Sequence, residues 1–435
     1  MRKKSLPILE VTIEKMVHGG QGMGLLPDDR KCFVWGALPG EVALVQLTKR
    51  KKDWAEGYAL EIITASPKRI APIEPDIYLA TSPWQILDYA EEASAKQSIL
   101  VETFQREHVD IEWQPFYQQE EPYNYRNKME YNFWYDNESR KVSLALHKRG
   151  SHQKVAVQES VLASMAINIA GKELIDYINS RKIEARPLKS VILRSSAEGT
   201  VGISLFVNDK AVASDFSDLQ IQNCIFEIVY SNPKSPASVA TEILVPAEDQ
   251  LLDALLSKKY YYSSRSFFQV NIPVYEKVLH IIRNIVEDSG TEEVVDMYSG
   301  VGTIGLSVAS NISKLTLIET DEASVEQARQ NVGDASNVEI TLASAELSLQ
   351  YIKSEGVLIV DPPRAGMHKD VVATIAKQKP PTVAYLSCNP STQARDIKLL
   401  VENGYPIMYA QGFNFFPRTP HIESLITLKS SQTLD

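Results

Sequence analysis

The chain has 435 residues, length for about two to four domains with buried cores, and 44% hydrophobic with 23% charged residues excludes a fibrous or wholly disordered protein. Its net charge of −10 argues at first against a nucleic-acid partner. Three scattered cysteines, Cys32, Cys224 and Cys388, exclude a disulfide framework or a zinc site and point to a reducing cytoplasm.

The N-terminus has a basic start, but its apolar run from Leu6 to Leu9 is closed by Glu10, so no signal peptide is expected. No apolar run approaches the roughly 18 residues of a membrane helix, and no membrane partner is expected. Residues 1–70 hold twelve basic and eight acidic residues, a net +4, which leaves −14 for the other 365. Alternating runs at LEVTIEKMV, KCFVWGAL, EVALVQLTKR and WAEGYALEII, separated by HGGQGMG, PDDR, LPG and KRKKD, predict four or five short strands. A basic all-β unit of this size suggests an OB-type barrel, a common platform for single-stranded nucleic acid. An ordinary barrel with a solvated Lys/Arg loop fits the charge equally well.

ASPKRIAPIEPDI (Ala65–Ile77) has the composition of a linker, and DYAEEASAKQSILVETFQREH has the 3.6-residue spacing of a helix. Strand patterns then recur at YRNKMEYNFWYD, KVSLALHKRG, KSVILRSS, TVGISLFVN and NCIFEIVYSN, which predicts a middle α/β domain. HKRGSHQK (His147–Lys154) is a basic loop, a phosphate contact or simply a solvated hairpin tip. From about 263 the pattern becomes strand–helix alternation: EEVVDMYSG, KLTLIETD, NVEITLAS, GVLIVDPP, TVAYLSC, PIMYAQGF and ESLITLK read as strands. A doubly wound, mostly parallel sheet follows, with ligands beyond the carboxyl ends of its strands. The expected divisions are residues 1–66, 67–262 and 263–435.

VVDMYSGVGTIGLSVA is a strand, a tight turn and a helix, in which Gly300 and Gly302 let the backbone approach a ligand. Gly300-x-Gly302-x-x-Gly305 also fits a dinucleotide fingerprint, so a nicotinamide cofactor stays open here. Asp296, four residues before the first glycine, is awkward for a pyrophosphate and suits the ammonium and sulfonium of S-adenosylmethionine. Glu319, ending the next strand, is placed for ribose hydroxyls, and Glu346 after the third strand for adenine.

Three further motifs carry chemistry. Asp361-Pro362-Pro363-Arg364 ends the fourth strand in a rigid, donor-poor loop, where Asp361 can face a planar base. Arg364 stands where methyltransferases of exocyclic base nitrogens usually carry an aromatic residue. Cys388 leaves the fifth strand on the same rim, in a polar Asn-Pro turn expected to favour a partly exposed, activatable thiolate. His421 and Glu423 precede the last strand, and Glu423 is a candidate base. One chemistry uses all of these: methylation of a pyrimidine at C5. That carbon is too weak a nucleophile until a thiolate adds at C6, and a base must then remove the C5 proton. Cys388 is the candidate nucleophile and Glu423 the base, with Asp361 and Arg364 on the substrate. The base must leave its stack to reach such a site.

At DPPRAG, SCNPSTQARD, FPRTPHIE and SFFQVN the chain resembles the RNA 5-methyluridine methyltransferases, particularly their ribosomal RNA branch. The resemblance spans nearly the whole chain and implies a class I Rossmann-like α/β domain. It places Gln269, Tyr298, Glu319, Glu346 and Asp361 at the S-adenosylmethionine site, beside Gly300 and Gly302 of the turn. GGQGMGLL…CFVWGALPGEV resembles a TRAM domain, an OB-type RNA binder, and relatives pack a helix near residues 92–118 on the catalytic domain. The implied protein is a cytoplasmic monomer acting on structured RNA, 23S rRNA above tRNA because the tRNA branch generally lacks TRAM. RNA cytosine C5 methylation and an inactive RNA-binding assembly factor are the alternatives.

Two features depart from the family. Many relatives bind an iron–sulfur cluster through four cysteines, yet Ile73–Gln85 has none and Ser160 stands where the fourth would fall. Asn414 stands where an aspartate is usual. Three scattered thiols cannot supply four ligands, so no iron–sulfur cluster and no other metal is expected. Anaerobically purified protein should contain iron at well under one atom per chain by elemental analysis; a stoichiometric cluster would contradict this.

Overall fold

The alternation in Ile8–Met16 buries Val11 and Ile13 and exposes Glu10, Thr12 and Glu14, the signature of a strand with one wet face. In the computed structural model, which describes residues 6–149 and 153–433, five such strands close a barrel. They are β1 (Ile8–Met16), β2 (Gly22–Leu25), β3 (Lys31–Trp35), β4 (Val42–Arg50) and β5 (Trp54–Thr64), in the order β1-β2-β3-β5-β4. Pairing of β1 with β4 closes the ring over a core of Val11, Ile13, Cys32, Val34, Val45 and Leu47. Strand β2 corrects the sequence-based turn at HGGQGMG. Gly24 lies against the backbone of β1, where a Cβ would meet the Thr12 carbonyl oxygen at 2.0 Å. Its glycines serve close strand approach as well as turning.

The segment Ala65–Ile77 is no loose linker. Arg69 forks onto the fully buried Glu41 carboxylate (2.6 and 2.8 Å), which also accepts from the Leu38 and Ser66 backbone amides. Glu74 accepts from the Val161 amide (2.9 Å), Gln85 Nε2 (2.8 Å) and Thr81 Oγ1 (3.1 Å). This knot ties residues 74–85 to the segment beside Ser160, where relatives are expected to use metal ligands. The three cysteines lie apart, in β3, in the middle sheet and after a catalytic-sheet strand. Among the described residues, no cluster of three His, Cys, Asp or Glu side chains suits a metal ion.

The helix Tyr89–Arg106 begins at Asp88, whose side chain caps the Ala90 amide. The helix expected near 92–118 thus stops earlier: His108 adopts φ +61°, and β6 (Gln114–Tyr117) is a strand holding Pro115. Leu100 and Phe104 of the helix join the core containing Ile397, Leu400 and Ile426, so this helix packs on the catalytic sheet.

Strands β7 (Lys128–Asp136), β8 (Lys141–His147), β9 (Lys154–Val157), β10 (Leu188–Ser195), β11 (Val201–Val207), β12 (Cys224–Tyr230) and β13 (Glu242–Val245) form the middle sheet, ordered β13-β12-β11-β10-β7-β8-β9. The helix Met165–Ser180 covers it through Ile167, Leu174 and Ile178. Gly150–His152, the tip of the basic loop, lies outside the described residues. A hairpin of β14 (Leu251–Leu255) and β15 (Lys258–Tyr262) follows.

The catalytic sheet uses β16 (Glu293–Met297), β17 (Lys314–Glu319), β18 (Val338–Leu342), β19 (Val357–Val360), β20 (Thr382–Ser387), β21 (Ile407–Phe413) and β22 (Glu423–Lys429), with β6 at one edge. Its order is β18-β17-β16-β19-β20-β22-β21-β6. Seven of the eight strands run the same way; β22 alone runs antiparallel, between β20 and β21. Among the described residues no helix is long and apolar enough to cross a membrane. Removing the Glu74 carboxylate strips the Val161 amide of its acceptor and weakens the bonding of Gln85 Nε2 and Thr81 Oγ1, so Glu74→Ala should cost about 1–3 kcal/mol in denaturant unfolding. An unchanged midpoint would mean the knot carries no stability.

Candidate active site

Parallel strands deliver their loops to one rim, and the antiparallel β22 starts on that same rim. Ser387 pairs with Ser424 across β20 and β22, so Cys388, one residue beyond, faces Glu423, one residue before. Asp361 follows the last residue of β19, itself paired with Tyr385 of β20. The structure therefore brings Cys388, Glu423 and Asp361 together.

Two loops on this rim are tied to each other. Asn389 caps the helix Pro390–Glu402 and donates through Nδ2 to the Arg364 carbonyl (2.8 Å), which also accepts from Thr392 Oγ1 (3.2 Å). Asp396 takes the Met367 amide (3.0 Å) and the Tyr385 hydroxyl (3.0 Å). The Arg364 side chain is left exposed, and its charge favours ionisation of both Cys388 and Glu423.

Electrostatics correct one expectation. Cys388 precedes a helix N-terminus, which favours a thiolate, but burial and the carboxyls of Glu423 and Asp361 push its pKa up to about 12. The resting thiol is protonated. Burial and Asp361 hold Glu423 well above the usual carboxylate range, and burial raises Asp361 to about 7. His421 is driven down to about 3 by burial and by Arg364, Arg149, Lys96 and Arg126, so it is neutral at physiological pH.

The glycine turn lies further along the rim. Tyr298, Gly300 and Gly302 have φ of +65°, +56° and +86°, and the Gly300 amide donates to Glu319 Oε2 (2.8 Å). Glu319 Oε1 accepts from the amides of Thr320 and Asp321 (both 2.8 Å), so this acid braces the turn in addition to facing the rim. Asp296 accepts the Gly305 amide through one oxygen (2.7 Å); a Cβ on Gly305 would lie 3.0 Å from it. Burial, with Asp361 and Glu319, raises Asp296 to about 8. Glu346 is exposed in the turn after β18, close enough to Tyr298 to raise its hydroxyl pKa. Gln269 is buried in a segment gripped by the middle sheet: Asn127 Nδ2 donates to its carbonyl (2.9 Å), and Arg194 Nη1 to that of Phe268 (3.2 Å).

Buried polar atoms without a partner among the described residues test whether the site suits S-adenosylmethionine. Asp296 Oδ1 and Ser299 Oγ flank the glycine turn in this condition, and Asn271 has both amide atoms so placed. Acceptors of this kind, beside three neighbouring acids, fit a cationic ligand with hydroxyl and ammonium donors. Sequence inspection missed the full burial of Asn271, inside SFFQVN, with neither amide atom partnered. It also missed the approach of the barrel. Trp84 Nε1 donates to the Gly20 carbonyl (3.1 Å), and Gly20 packs so closely on Pro420 that a Cβ would lie 2.1 Å away.

A doubly wound sheet with a glycine turn, a buried acidic cluster beside it and a rim cysteine defines a methyltransferase-type domain, here carrying an N-terminal barrel. Residues 88–431 match the family model for tRNA (uracil-5-)-methyltransferase, and residues 7–60 that for the TRAM domain. The chain belongs to the tRNA (uracil-5-)-methyltransferase family, and it is an RNA methyltransferase. It is 30% identical over 451 residues to a Lactiplantibacillus plantarum protein described as an uncharacterized RNA methyltransferase, covering 98% of each chain. A Clostridium tetani protein of the same description is 29% identical, again over 98% of each. The Pyrococcus abyssi tRNA (uracil-54, C5)-methyltransferase, solved with S-adenosyl-L-homocysteine, shares the fold with a TM-score of 0.77 at 23% identity. That match covers 97% of this chain and 100% of the other.

Raised pKa values at Asp296 and Asp361 predict proton-linked binding. Both carboxyls are largely neutral at pH 6, and a sulfonium favours their ionised forms. Affinity for S-adenosylmethionine should therefore rise between pH 6 and 8, by up to about tenfold per unit for each coupled proton. S-adenosylhomocysteine, lacking the sulfonium charge, should show a shallower rise in titration calorimetry. Equal slopes for the two ligands would contradict this assignment.

Proposed function

We propose that this protein methylates uridine at C5 in 23S rRNA, with Cys388 as nucleophile and Glu423 as base. The supporting observation is the register that sets Cys388 opposite Glu423 at the ends of β20 and β22, with Asp361 alongside. S-adenosylmethionine, when bound near Asp296, Glu319 and Gln269, supplies an electrophilic methyl group. Gly300, Gly302, Tyr298 and Glu346 line the same cleft. Cys388 Sγ bonds to uracil C6 and its proton leaves to solvent, the one proton that net methylation releases. The C5=C6 electron pair moves toward O4, where Arg364 meets the developing charge and Asp361 holds the polar edge of the base. C5 then takes the methyl group, whose bond to the sulfonium sulfur would break with its electron pair left on sulfur, giving neutral S-adenosylhomocysteine. Glu423, ionised once positive charge fills the cleft, accepts the C5 proton. The C6–Sγ bond breaks, the double bond returns, and Glu423 passes the proton to the sulfur.

Positive charge surrounds this mouth from several parts of the chain. Arg126, Arg149 and Arg364 all act on His421, and the Arg149 guanidinium stacks 4.8 Å from the ring of barrel residue Trp35. His18 of the first barrel loop is close enough to Arg364 to be influenced by its charge. A cationic, aromatic mouth suits an RNA strand whose target base has left its stack. The ribosomal reading rests on the motif resemblance to that branch, not on the barrel. A tRNA substrate is the second reading, because the likeness to the Pyrococcus abyssi enzyme extends over nearly the whole chain, barrel included.

A transcript bearing 5-fluorouridine tests the chemistry, since its C5 fluorine cannot leave as a proton. With S-adenosylmethionine, the wild type should form a denaturation-resistant adduct that Cys388→Ala abolishes. Absence of an adduct on RNA that is otherwise methylated would overturn the mechanism. Parallel reactions on unmodified 23S rRNA and tRNA should give 5-methyluridine in the former; 5-methyluridine in tRNA alone would establish the second reading.

A further inference from the structure

The connection from β21 to β22 runs from Asn414 to Ile422 and delivers Glu423, whose register partner across the two strands is Phe413. The base candidate is therefore one residue pair from Asn414. This connection is gripped at several points by the helix Tyr89–Arg106 and the segment before it. Glu92 and Lys96, four residues apart on that helix, look in sequence like a solvated surface pair, yet both are fully buried and 2.9 Å apart.

Glu92 is the hub. Its carboxylate accepts from Asn414 Nδ2 (2.9 Å), from the Arg418 backbone amide (3.0 Å to each oxygen) and from Arg418 Nη1 (3.4 Å). Lys96 Nζ donates to Asn414 Oδ1 (2.6 Å) and to the Phe416 carbonyl (3.1 Å). Arg418 itself has φ +64°, a left-handed conformation unusual for arginine. Further bonds hold it there: Nη2 donates to the Gln85 carbonyl (3.1 Å), and its own carbonyl accepts the Trp84 amide (3.0 Å). Asn414 suits this hub because its amide offers one donor to Glu92 and one acceptor to Lys96; a carboxylate would set two acids in contact. Burying three charges is costly unless each is compensated, and most of the compensating contacts here fall on one loop. That concentration is more than anchoring the helix requires.

We propose that Glu92 is a positioning residue for Glu423: acting with Lys96, Asn414 and Arg418, it sets the conformation of the Asn414–Ile422 connection that holds Glu423 opposite Cys388. The inference rests on the assignment of Glu423 as the base. A displaced base slows proton removal from C5 after methyl transfer, so enzyme stays bonded to RNA on ordinary uridine.

The test compares Glu92→Gln with Glu423→Gln on an unmodified 23S rRNA fragment and S-adenosylmethionine, by single-turnover kinetics and denaturing gels. Glu92→Gln should keep its KM for RNA, lose about tenfold or more in kcat, and accumulate a covalent adduct as Glu423→Gln does. Glu92→Asp should recover part of the turnover and carry less adduct. If Glu423→Gln accumulates the adduct while Glu92→Gln turns over normally, or loses methyl transfer with no adduct, the positioning role is overturned and the base assignment stands. If Glu423→Gln itself forms no adduct, the base assignment fails and the inference falls with it. Should Glu92→Gln not fold, Asn414→Ser keeps every charge and is read the same way: adduct above the wild-type level supports the proposal, and its absence overturns it.

Discussion

The pairing of β20 with the antiparallel strand β22 is the constraint on which the site depends. Ser387 opposite Ser424 sets Cys388 against Glu423, and side chains alternate faces along a strand. A slip of one residue would turn Glu423 away and bury the wrong set of apolar side chains. Leu425, Ile426 and Leu428 of β22 are all buried, as are Val383, Tyr385 and Leu386 of β20. The same apolar packing that stabilises the sheet therefore holds the proposed nucleophile and the proposed base in register. Reversal of β22 in an otherwise parallel array is what brings its first residue to the rim where the parallel strands end.

Charge explains why the resting site is quiet. Asp296, Asp361 and Glu423 all have raised pKa values because little water reaches them, and Cys388 holds its proton for the same reason. A cationic ligand reverses that balance, since its charge favours the ionised form of each group. Elsewhere the molecule surrounds buried carboxylates with donors, as at Glu92 with Lys96 and Arg418, and at Glu41, where Arg69 and two backbone amides lower the pKa. These anchored acids organise loops, whereas the acids of the cleft keep proton affinity to spare.

Much of this was legible in sequence. Period-two alternation located four of the five barrel strands, and strand–helix alternation located all seven strands from β16 to β22. The motifs marked Asp361, Cys388 and Glu423, which the fold brings together on one rim. What escaped had physical reasons. Strand β2 looked like a turn because its glycines serve close approach, not flexibility. Ala65–Ile77 looked like a linker because its prolines and charges reveal nothing of Glu41 and Val161, to which it bonds. Cys388 looked activatable because local context shows the helix start and hides the carboxyls supplied by β19 and β22. Glu92 and Lys96 carry a surface pattern whose burial depends on a loop some 320 residues away.

Release of the C5 hydrogen tests the central claim most directly. With RNA carrying tritium at uridine C5, the enzyme should liberate one tritium for each methyl group incorporated, and Cys388→Ala should liberate none. Methyl incorporation without tritium release would place the modification on another atom and contradict the account.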